Sequence, residues 1–283
     1  EVHPFDLGAD GGRHGPGLEA RKLGRVCVDR HGVSSGRLIL LVHDTPAAAY
    51  GEAMRLPPLM PATLKRRYNR FLADTVLEET GEAITAHCPN PGSMMGLKAP
   101  GSRVWLSTSD NPKRKLKHTL ELVEADGGLV AINTNNPNTL AEEAIRAGHI
   151  PELSDFDRLR REVKYAERSR VDILLEKAGR KTFVEGKNCH LMRSPGLAEF
   201  PDSVTSRGAK HLQDLTAEVA NGNRAVMLFI IQRSDCETFA TAPDLDPTYH
   251  AGLGAAAAAG VEVLVYDCHI STVSIDVRRA LPW

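Results

Sequence analysis

The sequence predicts an α/β (α+β) chain in two parts, a small N-terminal β-barrel followed by a mixed-sheet domain built around a hairpin. Three observations carry this. Short strand-like runs broken by Gly and Pro crowd residues 63–134. After residue 200, apolar strand-like runs alternate with helix-length patterns. Between them, residues 171–187 read as two strands joined by Ala178-Gly179. The 283 residues allow one or two domains, at roughly 100–200 residues each.

The elements follow in order. Residues 1–53 scatter Gly8, Gly11, Gly12, Gly15 and Gly17 among Arg, Asp and His without a period of 2 or 3.6, so the segment reads as disordered. The first Met is Met54, and 1–53 is expected to be a non-native or upstream extension. The barrel domain is then expected over 54–136 and the mixed domain over 137–283. In the first, Leu64–Leu72 is arginine-rich, Ala83–Cys88 and Arg103–Thr108 read as strands, and Gly128–Asn133 as a third; Pro89-Asn90-Pro91-Gly92-Ser93 is a dense turn. In the second, Thr139 with Glu142 matches a capping box for a helix stopped by Gly148. A polar segment precedes the hairpin strands Val171–Leu175 and Lys181–Glu185. A long helix spans Ser203–Asn221, its apolar stripe Val204, Leu212, Leu215 and Val219, with Gly222 as its stop. Ala225–Ile231 and Val261–Cys268 are apolar enough for buried strands, and an Ala-rich helix lies between them at Pro247–Ala259.

Charge and composition exclude several classes. With 35 Lys plus Arg against 36 Asp plus Glu, the chain lacks the cationic excess of a protein that coats nucleic acid or membrane through bulk charge. The distribution is uneven, at +3 over 54–136 and −3 over 137–283, which leaves room for local phosphate contacts. The longest apolar run near the N-terminus, Leu38–Val42, is far short of the roughly 18–20 residues of a membrane helix, so a soluble, cytoplasmic protein with no membrane partner is expected. Cys27, Cys88, Cys189, Cys236 and Cys268 are odd in number and widely spaced, as structural cysteines are.

The hairpin carries the chemistry. A turn centred between Ala178 and Gly179 sets Glu176 opposite Lys181, Leu174 opposite Phe183 and Ile173 opposite Val184. Asp172 then faces Glu185, and Lys187 projects from the same side two residues on. Two close carboxylates repel unless a positive charge lies between them, and a hard divalent cation, Mg2+ or Mn2+, fits that need. Lys187 would orient or help deprotonate an attacking water, or neutralise charge on a phosphate. Asp followed by Glu-x-Lys across a hairpin is the pattern of the PD-(D/E)xK nucleases. Gly186 leaves one point open, because a bulge there would turn Lys187 to the other face.

The chain also resembles a known family, the sugar fermentation stimulation proteins, from about Leu59 to Leu281. The carriers are Lys65-Arg66-Arg67-Tyr68-Asn69-Arg70-Phe71-Leu72-Ala73-Asp74, His87 to Met94, and Ser107 to Lys115. In the second half they are Glu162-Val163-Lys164-Tyr165, Glu167 to Asp172, Val184-Glu185-Gly186-Lys187, Phe200 to Thr205, and Arg207 to Leu212. The resemblance implies an OB-like barrel followed by a PD-(D/E)xK restriction-endonuclease-like domain. It further implies DNA binding without sequence preference and a link to the regulation of sugar, notably maltose, metabolism. On this match Asp172, Glu185 and Lys187 occupy the family's catalytic positions, and the metal ligands are Asp172, Glu185 and Glu162, the last as a helical carboxylate beside them. The family commonly has a β-branched residue where Gly186 stands, and often a Gly after the residue matching Tyr165.

Two basic clusters complete the expected nucleic-acid surface: Lys65, Arg66, Arg67 and Arg70 with Tyr68 and Phe71, and Lys113, Arg114 and Lys115 in a loop with Lys117 and His118. On the long helix, Arg207, Lys210, His211 and Asp214 share the face opposite the apolar stripe, where Arg207 and Lys210 would reach substrate and His211 less so. His190 and His269, each beside a cysteine, read as packing residues. The partner is thus expected to be DNA, with RNA, cleavage and oligomeric state left open. A metal-dependent nuclease and a regulatory protein that binds only a protein partner are the competing classes.

Overall fold

The computed structural model describes residues 53–166 and 169–283. The expectation of a disordered extension before Met54, Cys27, and the Glu167-Arg168 part of the resemblance lie outside the described residues.

The first half closes into a five-stranded barrel. Strands β2 (Leu59–Tyr68), β3 (Leu72–Leu77), β4 (Ala83–His87), β5 (Arg103–Thr108) and β6 (His118–Ala125) lie in the order β4-β3-β2-β5-β6, and a parallel His87–Thr119 pairing between β4 and β6 closes the ring. That one parallel closure in an otherwise antiparallel barrel is the OB arrangement. β3 shows why the sequence makes a barrel wall: Ala73, Thr75 and Leu77 alternate inward. The arginine-rich run splits at Asn69 and Arg70, whose φ values of +48° and +61° make the tight turn between β2 and β3. β6 escapes sequence pattern because Leu120, Glu121, Leu122 and Val123 are all buried, so there is no alternation to read. Glu121 is tolerated there because Ser107 Oγ and Asn133 Nδ2 donate to its two oxygens at 2.7 and 2.9 Å. A short β7 (Gly128–Ala131) pairs with β6.

The second half is a seven-stranded mixed sheet. β1 (Met54–Arg55), β8 (Arg158–Ala166), β9 (Ser169–Lys177), β10 (Arg180–Cys189), β13 (Arg224–Ile231), β15 (Glu262–Ile270) and β16 (Ser274–Ala280) lie in the order β1-β16-β15-β13-β10-β9-β8. β10, β13 and β15 are parallel and central, and the middle one, β13, is apolar almost throughout because it is covered on both faces, whereas β10 interrupts its apolar Phe183-Val184 with the Glu185-Gly186-Lys187 motif. The polar segment before the hairpin is a strand, β8, because an edge strand needs few buried side chains. Met54 and Arg55 pair with Ile275 and Ser274, so the expected barrel segment 54–136 begins with two residues of the other domain's sheet. A three-stranded sheet, β11 (Leu191–Ser194), β12 (Leu197–Phe200) and β14 (Thr238–Thr241), stands beside it.

α1 (Asn136–Arg146) packs on one face of the large sheet, through Leu140, Ala144 and Ile145 against Ile173, Val184 and Val226. It starts three residues before Thr139 and its cap residue, Asn135, makes no side-chain bond to the helix N-terminus, so the expected capping box does not form. α2 (Ser206–Ala220) and α3 (Pro247–Ala258) cover the other face. Thr205 caps α2 by accepting the Gly208 N–H at 3.1 Å, which leaves Val204 outside the helix and 76% exposed instead of on the stripe. Among the described residues, no helix is long and apolar enough to cross a membrane. The four described cysteines are free and buried.

Barrel and mixed domain share packing. Trp105, Leu122 and Ala131 of the barrel join the α1-side core. Asp202, between β12 and α2, accepts the Met94 N–H of the barrel loop at 2.9 Å, and a Cβ on Gly92 would stand 2.5 Å from its Oδ2, so only glycine lets that loop close on the carboxylate. His190 is therefore more than packing: its Nε2 faces Asp202 Oδ2 at 3.5 Å. His269 is exposed, not packed. Burial pushes the Asp202 carboxyl up, but His190 and the Met94 N–H outweigh it and hold it at about 2, below its ordinary 3.8. A depressed carboxyl stabilises the fold above its unfolded value, and the contribution is lost as pH falls from near 4 through about 2. At about 1.4 kcal/mol per unit this is about 2 kcal/mol. Asp202→Asn should lower denaturant-measured stability by about that much at pH 7, with the difference closing toward pH 2.

Candidate functional site

The hairpin forms in the expected register, from Lys177 opposite Arg180 to Ile173 opposite Val184. Ala178 and Gly179 hold φ +47° and +81°, the two positive values a type I′ turn needs. The ladder ends there, and Asp172 and Glu185 are the next residue on each strand. β10 runs unbroken along β13, with Glu185 at Met227, Gly186 at Leu228 and Lys187 at Phe229. No bulge therefore turns Lys187 away, and its Nζ donates to Glu185 Oε1 at 2.6 Å.

Gly186 serves the site differently. Its N–H donates to Asp172 Oδ2 at 2.8 Å. A Cβ there would lie 2.8 Å from Asn138 Oδ1, so the missing side chain makes room for Asn138 of α1, whose Nδ2 donates to Asp172 Oδ1 at 2.8 Å. The helical partner of Asp172 is thus an amide; Glu162 is not helical. It lies in β8 at the register position opposite Asp172, exposed, with φ +52°. That left-handed conformation is costly for a glutamate inside a strand. On the facing strand Val171 joins the α2-side core and Ile173 the α1-side core, so the side-chain alternation of β9 breaks at Asp172 itself.

His211, read from the sequence as part of a surface face, is buried, and its Nδ1 contacts Glu185 Oε1. Arg207 Nε donates to His211 Nε2 at 3.2 Å. The signal for this lies in the spacing: His211 is seven residues after Val204 and four before Leu215, so it borders the apolar stripe instead of lying opposite it with Arg207, Lys210 and Asp214.

The two carboxylates differ. Burial, then the Glu185 charge, push the Asp172 carboxyl up against Lys187, Gly186 and Asn138. Burial also pushes Glu185 up, but Lys187 and His211 outweigh it and hold it below its ordinary value. Glu185 Oε2 is buried without a hydrogen-bond partner. An anionic oxygen so placed is costly unless a cation meets it, and hard carboxylate donors suit Mg2+ or Mn2+. Asp172 and Glu185 Oε2 therefore fit a divalent ion. Among the described residues, no group of three or more His, Cys, Asp and Glu side chains is placed to hold a metal, so water and substrate oxygens would complete the sphere.

The basic residues divide. Lys65, Arg70, Lys113, Lys115 and Arg207 are exposed. Arg66 pairs with Asp74 at 2.8 Å and lies 4.5 Å from the centre of the Tyr68 ring. Arg67 is a loop clamp, its Nη2 donating to the carbonyls of Arg70, Asn90 and Gly92. Arg114 donates to Thr119 Oγ1, and Lys210 to Ser169 and Asp214. Phe71, 45% exposed, stacks on His87 with ring centres 6.3 Å apart. An open groove of about 880 Å³ at the turn end of the hairpin, lined by Lys177, Arg180, Lys181 and Arg224, lies some six residues, about 20 Å of strand, from Asp172. Its lining holds a single carboxylate, Asp155, and no carboxylate pair.

Comparison with known proteins agrees with this architecture. A family profile described as the N-terminal OB domain of SfsA matches residues 66–132, and one described as the sugar fermentation stimulation protein RE domain matches 135–274. A sugar fermentation stimulation protein homolog of Rhodospirillum centenum is 57% identical over 81% of this chain and 98% of its own length. One from Caulobacter vibrioides is 53% identical over 81% and 97%. A solved structure of Pyrococcus furiosus SfsA in complex with Ca2+ superposes with a TM-score of 0.73 at 28% identity, over 82% of this chain and 98% of that one.

Proposed function

Because this chain belongs to the sugar fermentation stimulation protein family, we propose that it binds DNA without sequence preference and hydrolyses phosphodiester bonds at a divalent-metal site formed by Asp172 and Glu185. The observation that carries this reading is the buried, unpartnered Glu185 Oε2 in a carboxylate whose other oxygen takes the Lys187 ammonium and whose charge is felt by Asp172. The P. furiosus relative was solved in complex with Ca2+, a hard cation of the class that carboxylate oxygens take. A bound Mg2+ or Mn2+ would polarise a phosphate oxygen and activate a water. Asn138 and the Gly186 N–H hold Asp172 in place, and Lys187 sets a positive charge beside the position a phosphate would take. Lys65, Arg70, Lys113, Lys115 and Arg207 would take backbone phosphates, while Phe71 on His87 offers a face to a base. RNA is the alternative strand, and the cytoplasm, where buried thiols stay reduced, the expected place of action.

A second reading, binding without cleavage in the regulation of sugar and particularly maltose metabolism, is favoured by the lack of a third His, Cys, Asp or Glu ligand among the described residues. One series separates the two: labelled single-stranded DNA, duplex DNA and RNA incubated with the protein, with and without Mg2+ or Mn2+, at several salt concentrations. Salt-sensitive, sequence-tolerant binding together with metal-dependent cleavage is expected. Binding alone selects the second reading, and salt-insensitive or absent binding overturns both.

A further inference from the structure

We propose that His211 is a positioning residue that, with Arg207, leaves Glu185 with one free oxygen for the metal; this rests on the metal reading above. Arg207 Nε is a donor and stands 3.2 Å from His211 Nε2, so that nitrogen must accept. The ring is then the Nδ1–H tautomer, and Nδ1 donates to Glu185 Oε1. Lys187 Nζ lies 3.4 Å from the same Nδ1, but two donors do not bond, so the ammonium is also directed to Oε1, at 2.6 Å. Both donors thus saturate one oxygen of Glu185, and Oε2 is left buried and bare. The carboxylate cannot rotate without exchanging two bonds for none. A cation entering the site meets a fixed Oε2 beside Asp172 instead of a carboxylate it must first turn.

The assignment of the proton also links the site to its surroundings. Arg207 is exposed, and beyond Nε its guanidinium makes no hydrogen bond among the described residues. The group that sets the His211 tautomer is therefore the one that an approaching phosphate would meet through its outer nitrogens.

Asparagine and glutamine substitutions separate the two ring nitrogens. The amide of His211→Asn can place a donor near the Nδ1 position, whereas that of His211→Gln reaches the Nε2 position and leaves Glu185 Oε1 one donor short. In calorimetric titrations with MnCl2, His211→Ala and His211→Gln should bind about 10-fold more weakly than the unaltered chain, in the range typical for groups behind metal ligands, while His211→Asn restores most of the affinity. Glu185→Gln should abolish binding. Thermal melts report whether each variant folds. Equal affinity in His211→Gln, with Glu185→Gln inactive in binding, would overturn the role of His211 and leave the metal reading standing; no Mn2+ binding by the unaltered protein would remove the metal reading. Histidine-ring 1H–15N correlation spectra of the metal-free protein test the tautomer independently. Nδ1 should carry the proton and Nε2 none, with the Nε2 resonance altered in Arg207→Ala; a proton on Nε2 would sink the proposal whatever the metal titration gives.

Discussion

Glu185→Gln should abolish metal-dependent cleavage, by on the order of 10³-fold or more in rate, while leaving the fold and salt-dependent DNA binding in place. The substitution is nearly isosteric. An amide oxygen can still accept from Lys187 and His211 on the Oε1 side, but the bare Oε2 becomes an NH2 group that repels a cation. Asp172→Ala should be as severe and less benign, because Gly186 N–H and Asn138 Nδ2 both lose their acceptor. Single-turnover cleavage of labelled DNA in Mn2+, beside a filter-binding measurement at matched salt, separates chemistry from affinity. Cleavage by Glu185→Gln at the rate of the unaltered chain would contradict the assignment.

Phe229→Ala should cost about 4 kcal/mol of stability, the range for deleting a fully enclosed aromatic ring. Phe229 has no exposure and lies between Phe200 and Phe239, with ring centres 5.4 and 4.4 Å away. It also pairs with Lys187 across β10 and β13. Its loss leaves a cavity next to the strand that carries Glu185 and Lys187, so metal affinity should fall even at temperatures where the variant stays folded. Denaturant unfolding measures the first effect and Mn2+ titration the second.

Much of the site was legible because it is local. The hairpin register that makes Asp172 and Glu185 the next residues beyond the ladder needs only a two-residue turn, which Ala178-Gly179 supplies; the break of alternation at Asp172 is not local and was not legible. Lys187 follows from a period of two once Gly186 is known not to bulge. The buried strand β13 announces itself as the unbroken apolar run Ala225–Ile231, and β15 by the shorter run Val263–Tyr266. What was missed depends on distant partners. Arg66, Arg67, Arg114 and Lys210 look alike in sequence to Lys65 and Lys113, yet each is engaged by Asp74, by loop carbonyls, by Thr119 or by Ser169 and Asp214. Edge strand β8 is too polar to be read as a strand, and β6 too uniformly buried to alternate.

The sequence by itself determined the barrel and mixed-sheet parts, the hairpin register and the placing of Glu185 and Lys187 on one side of their strand, since these follow from turn chemistry and side-chain period between near neighbours. Only the tertiary structure decided which acid stands alone and which is shared. Asn138 comes to Asp172 from one side of the sheet through the space that Gly186 leaves, and His211 comes to Glu185 from the other, held by Arg207. Such contacts join residues 26 and 34 positions apart, and their geometry is set by how helices pack on a sheet, which no local pattern encodes.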